Sequence, residues 1–182
     1  MVSRDELLKL LHQKVKTKNL IKHMLATEAC MRALADRMGE DMEKWGMAGL
    51  VHDIDYEETK DNFNQHGLVS ARMLEEMGFP QDIIDAVKAH AGKKEPTTKM
   101  EYALYAVDPL TGLIVAAALM HPSKSLAGID RDFVLRRFKE KRFAAGANRD
   151  QIRQCEKLGL TLEEFIDICV KAMQGIAKEL GL

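Results

Sequence analysis

The chain is 182 residues long, room for one domain with or without a helical extension. Lys plus Arg total 27 against 28 for Asp plus Glu, so there is no bulk basic charge to argue for nucleic-acid binding. Hydrophobic residues reach 46% and aromatics only 5%; a chain so rich in Leu, Ala and Met is not globally disordered and leans helical.

Ser3 and Glu6 have capping-box spacing ahead of Leu7, Leu8, Leu10, Leu11 and Val15, which predicts a first helix. Leu20, Met24, Leu25, Ala29, Met31 and Leu34 mark a second, ending near Gly39. Asp41 is placed to cap a short third helix through Trp45, Leu50 and Val51. The polar, acidic run from His52 to Asn64 reads as a loop. Leu68, Ala71, Leu74 and Met77 then return to helical spacing before Gly78, and Pro80 suits the first turn of a helix carrying Ile83, Ile84 and Val87.

After a Lys- and Pro-containing loop (Gly92 to Thr98), helix resumes at Met100, and Pro109 is expected to kink or cap it. Beyond Gly112 the chain is apolar on every side, which predicts a central helix. Asp130 and Asn148 are placed to cap further helices. Thr161 with Glu164 forms a second capping box, leading Phe165, Ile166, Cys169, Met173 and Ile176 down one face to Gly181. The two amphipathic helices expected within 150–182 would cover the bundle, or serve a homodimer through the stripe Met173, Ile176 and Leu180.

Cys30, Cys155 and Cys169 form no short pair, so they read as buried thiols, not as a disulfide framework or zinc knuckle. The first residues lack the apolar core of a signal peptide, and the longest apolar run, Leu113 to Met120, falls short of the roughly 20 residues that span a bilayer. The expectation is a cytoplasmic protein with no membrane partner.

The chemistry lies in an ordered series: His23, His52-Asp53, His66, His90 and Asp108. Imidazole and carboxylate together suit divalent Mn, Fe, Co, Ni, Zn or Mg, without choosing among them. An Asp in so apolar a region as Asp108 also asks for a partner. Adjacent His52 and Asp53 would diverge on a regular helix, whereas at a ragged helix end both can turn to one ion. His12 reads as a surface residue; His121 is either a helix-end residue or a substrate contact.

The order His…His-Asp…Asp resembles the HD-domain superfamily of metal-dependent phosphohydrolases, and HDID at 52–55 is close to that superfamily's HDIG variant. The resemblance covers about residues 20–125, with 126–182 as a helical extension of a single HD-type domain. It implies an all-α bundle with the metal site in its interior. It further implies that His23, His52, Asp53 and Asp108 bind a first metal. His66 and His90 match the dinuclear branch, in which they hold a second metal with Asp53 bridging. Asp55 stands where HDIG has Gly, adding a carboxylate near the site.

A divalent ion lowers the pKa of bound water from about 16 toward about 7, so hydrolysis at neutral pH needs no Ser or Cys nucleophile. With His52 and Asp53 at its heart, the site is expected to cleave a small phosphate ester, possibly a nucleotide. Two other functions remain open on the same residues: a di-iron oxygenase, and a non-catalytic regulatory module that keeps its metal for structure. The basic stretch from Lys124 to Arg149 is either a solvated helix face or an attraction for a phosphorylated substrate. Lys124 in HPSKS, then Lys141 and Arg142 in KRFAAG, are its candidate phosphate contacts; no aromatic interleaving favours a nucleic-acid partner.

Overall fold

In the computed structural model, residues 2–182 are described, and no strand occurs among them. Eleven α-helices follow one another: α1 (Arg4–Lys14), α2 (Lys18–Met38), α3 (Met42–Val51), α4 (Tyr56–Thr59), α5 (Leu68–Glu76), α6 (Gln81–His90), α7 (Lys99–Met120), α8 (Arg131–Lys139), α9 (Arg149–Arg153), α10 (Leu162–Gln174) and α11 (Ala177–Leu180). Caps set many of the boundaries. Ser3 and Thr161 close capping boxes with Glu6 and Glu164; Asp41, Asp130 and Asn148 each accept a backbone N–H from the first turn of their helix.

Helix α7 is the axis of the bundle, packed against α2, α6, α8, α9 and α10. It is long and apolar enough to cross a membrane by composition, with a mean hydropathy of 1.8. Its apolar side chains are nevertheless spent inside the protein: Ala103, Leu104, Ala106, Val107, Leu110, Leu113 and Ile114 are all fully buried. Pro109 does not end α7, which runs on through it to Met120, and the carbonyl it strands finds another donor. Proline has no N–H for the carbonyl four residues back, here Tyr105, and Gln151 Nε2 donates to that oxygen at 2.8 Å.

Helices α2 and α3 cross at close range because α3 carries Gly46 and Gly49. A Cβ on Gly49 would stand 2.9 Å from backbone atoms of Thr27 and Glu28, and one on Gly46 would run into the Arg32 side chain. Beneath this crossing, the buried Glu28 carboxylate takes a bidentate pair from Arg4 at 2.6 and 2.8 Å and another hydrogen bond from Arg32 at 3.0 Å. The network ties α1 onto α2.

Four local expectations change. The run 52–64 is not all loop: it holds α4 and a single 3₁₀ turn at Phe63–Gln65. Pro80 sits at the cap position, just before α6. The stripe expected to run unbroken to Gly181 is interrupted after Gln174, where Ile176 leaves helical geometry and α11 starts afresh. Residues 150–182 accordingly hold α9, a 3₁₀ segment (Gln154–Leu158), α10 and α11, not two helices. Met173 and Leu180 are buried within the chain's own fold, with α10 against α2, so this stripe covers the bundle.

Candidate metal centre

Helix α3 ends at Val51, and His52 and Asp53 leave it in the turn that follows. This break lets both side chains face the interior together. His23 comes from α2, Asp108 from the middle of α7, His90 from the last position of α6, and His66 from the end of the 3₁₀ turn, two residues before α5. Gly67 makes the last two neighbours: its φ of 80° lies in the left-handed region, and a Cβ there would overlap Ala91 Cβ.

The six residues form two groups that share Asp53. His23, His52, Asp53 and Asp108 present donor atoms within 4.8 Å of one another, as do Asp53, His66 and His90. Asp53 divides its oxygens between them. Oδ2 lies 3.4 Å from Nε2 of both His23 and His52, while Oδ1 lies 3.4 Å from His66 Nε2 and 3.3 Å from His90 Nε2. His23 Nε2 also stands 3.0 Å from Asp108 Oδ1 and 3.0 Å from His52 Nε2.

Each imidazole is oriented through its other nitrogen. His52 Nδ1 donates to Gly49 O at 2.7 Å and His90 Nδ1 to Val87 O. His66 Nδ1 donates to Asp55 Oδ1 at 2.8 Å. His23 Nδ1 lies 3.1 Å from Thr111 Oγ, which itself donates to Asp108 O at 2.9 Å and so accepts from the imidazole. With Nδ1 engaged in all four rings, every Nε2 is turned to the centre, the nitrogen left for a metal once it is deprotonated.

Asp55 is not among the converging donors. It is fully buried, accepts from His66 and takes the backbone N–H groups of Gly67 and Ser70 at 2.8 Å each. Its role is to aim His66 and tie down the start of α5. Burial would raise its pKa, but the His66 and Ser70 hydrogen bonds hold it below the ordinary carboxylate value.

The electrostatics fit a cation. Burial opposes the charge on Asp53, yet His52, His23 and His90 hold it well below the carboxylate range. Asp108 is lowered likewise, against burial, by His23 and His52. Burial would lower His23, but Asp108 and Asp53 push it up to about 10. The buried Asp53 and partly buried Asp108 carboxylates thus impose a demand for positive charge at the centre of the cluster, and imidazole–carboxylate donors of this kind suit a divalent ion.

The centre is open on one side. The His23 and Asp108 side chains are 23% and 27% exposed, against 8% or less for the other four. A cavity of about 390 Å³ adjoins this side, reaching His23 and Thr111. At the other histidine group Phe63 stacks on His66 at 4.8 Å between centroids.

The phosphate candidates lie elsewhere. Lys124 is exposed after α7, with φ of 54° and its ammonium on Leu119 O at 2.7 Å. Lys141 and Arg142 are exposed in the turns after α8. None of the three lines the cavity beside His23; Lys22 does. Arg149, also in the basic stretch, is spent on structure, its guanidinium donating to carbonyls that include Phe138, Ala144 and Ala147. His12 is exposed on α1, and His121 caps the end of α7 and contacts Ser123. Thr111 and Lys22 were missed in sequence; Thr111, three residues after Asp108 on one helix, was within reach of a spacing argument.

The HD domain family model matches residues 20–119, more than half of the chain, and the chain belongs to that family. Among curated relatives, the Ribonuclease Y of Nitratidesulfovibrio vulgaris is 31% identical over 96 residues, 53% of this chain and 18% of the relative. That of Thermotoga maritima is 26% identical over 135 residues, 72% of this chain and 27% of its own length. The chain therefore spans about a fifth to a quarter of these relatives. Among solved structures, the HD domain of the L. monocytogenes phosphodiesterase PgpH matches with a TM-score of 0.57 and 18% identity, covering 93% of this chain and 98% of that one; the likeness is one of fold.

Proposed function

We propose that this chain is a metal-dependent phosphohydrolase acting on a small phosphate ester. The observation that carries the reading is Asp53, whose two oxygens face two separate histidine groups. In this reading His23, His52, Asp53 and Asp108 hold one divalent ion, and Asp53, His66 and His90 hold a second. Divalent ions so held supply Lewis acidity, acidifying water and drawing charge from phosphoryl oxygens.

The chain's own contribution is positional. Asp53 and His52 fix the centre from the end of α3, and the hydrogen bonds to Gly49, Asp55, Val87 and Thr111 keep four imidazoles in one tautomer. Asp108 and His23 line the exposed side, so water and substrate reach the centre there. Three buried, unpaired thiols fit a cytoplasmic setting, and burial, which raises the Cys155 thiol to about 12, keeps that sulfur inert.

A second reading, a phosphodiester substrate, draws on the names of the relatives, a ribonuclease and a phosphodiesterase. The test is phosphate or alcohol release from matched monoester and diester panels with added Mn or Co. Turnover of either panel, lost in Asp53→Ala, supports hydrolysis and selects the ester class. Confirmed metal occupancy with no turnover of any ester contradicts it.

A further inference from the structure

We propose that the groove between α2, α7 and α11 is the leaving-group subsite of the metal centre, and that it receives an apolar organic group of about nucleoside size. The proposal rests on the phosphohydrolase reading and adds to it the kind of ester cleaved. The groove begins at His23 and Thr111, on the exposed side of the centre, and its volume of about 390 Å³ falls within the range of small-molecule sites.

Gly112 is the residue that points to a ligand. It lies inside α7, where glycine costs about 1 kcal/mol of helix stability relative to alanine. Its φ is not positive, and a Cβ there would meet nothing within 4 Å. Gly49, by contrast, is glycine because the backbone of α2 leaves no room. No packing partner uses the missing side chain at 112; the groove does, since Gly112 forms part of its wall. Val115 and Leu119 follow along the same wall, with Leu180 and Leu182 opposite, and Leu119 is 48% exposed. An open apolar wall leading away from a charged centre suits the organic half of an ester.

Lys22 supplies a charge to the groove. It is the one Lys or Arg lining it and forms no ion pair with any described residue, so its ammonium is available to an anionic group of a ligand. Its ammonium lies over Gly181, 3.1 Å from where a Cβ would stand. In hydrolysis the water oxygen bonds to phosphorus, the ester P–O bond breaks, and the leaving oxygen departs along the groove as an alcohol carrying one of the water's protons.

Gly112→Leu fills the groove from a helix position with open space, and two measurements on the full chain read the result. The first is fluorescence titration of the metal-free protein with 4-methylumbelliferone, a largely apolar alcohol of the proposed type. The second is steady-state hydrolysis, with Mn, of 4-methylumbelliferyl phosphate and of glycerol 2-phosphate. We expect saturable binding to the wild type, weakened at least tenfold in Gly112→Leu. We expect Gly112→Leu to raise KM for the aryl ester at least tenfold, and by a larger factor than KM for the glycerol ester; Lys22→Met should raise KM for both esters several-fold. Circular dichroism checks the fold, and Leu119→Gln repeats the test if Gly112→Leu is misfolded. Absence of saturable binding, or binding and aryl KM unmoved by these variants, overturns the groove proposal even if hydrolysis occurs. Binding that Gly112→Leu abolishes, with no ester hydrolysed under any metal, overturns the hydrolase reading instead.

Discussion

Asp55 accepts the Nδ1 proton of His66 at 2.8 Å while its other oxygen takes the N–H groups of Gly67 and Ser70. The residue that replaces the glycine of HDIG thus aims a candidate ligand without joining the ligand set. Partners that orient a metal-bound imidazole are worth about 10–100-fold in metal affinity. Asp55→Asn should therefore weaken binding at the His66–His90 group by that factor and leave the His23–His52 group nearly unchanged. Isothermal titration with Mn reads this as two classes of site, of which only one weakens.

Gly49 and Gly112 should respond to the same substitution in opposite ways. Gly49→Ala forces a Cβ to 2.9 Å from the backbone of α2, which cannot yield without moving the helix that carries His23. A loss of about 1–3 kcal/mol is expected from overpacking. Gly112→Ala meets no neighbour and should gain up to about 1 kcal/mol. Urea denaturation of both variants, monitored by helicity, measures the two signs.

The Gln151–Tyr105 hydrogen bond is what allows α7 to run through Pro109. Gln151→Leu leaves the Tyr105 carbonyl without that donor and should cost about 1–3 kcal/mol. A loss of this size in thermal unfolding, with Gln151→Glu no better than Gln151→Leu because a carboxylate cannot donate, would establish the role.

Glu101 gives the fold an acid-sensitive component. Its side chain is buried and accepts from Lys94 Nζ at 2.7 Å and Thr97 N at 2.6 Å. Against burial, these bonds hold its pKa below the ordinary 4.5. A depressed folded-state pKa means stability that is fully present above the unfolded value and lost as pH falls through the folded one. Wild-type protein should lose stability below about pH 4.5 faster than Glu101→Gln, and Glu101→Gln should be about 1–3 kcal/mol less stable at pH 7. Denaturation midpoints from pH 3 to 7 check both.

The caps were legible because they are local: Ser3, Asp41, Asp130, Asn148 and Thr161 announce helix starts within four residues. The converging His and Asp residues were legible as a series of residue types, and helix ends near His52, His66 and His90 could be foreseen. What brings them together was not. The Gly49 contact with Thr27, the Gly67 contact with Ala91 and the Gln151 bond that rescues α7 each join segments distant in sequence. Lys22 escaped because its significance depends on α11, more than 150 residues away. The basic stretch drew attention by charge density, whereas the cavity beside His23 takes its one cation from another part of the chain.

Asp53 stands between two groups of candidate cation ligands. In anomalous diffraction from crystals equilibrated with Mn, two peaks are expected to flank it, about 3.5–4 Å apart, one bounded by His23, His52 and Asp108 and the other by His66 and His90. A peak on one side only, or bound Mn away from Asp53, would contradict the proposed sharing of Asp53 between two ions.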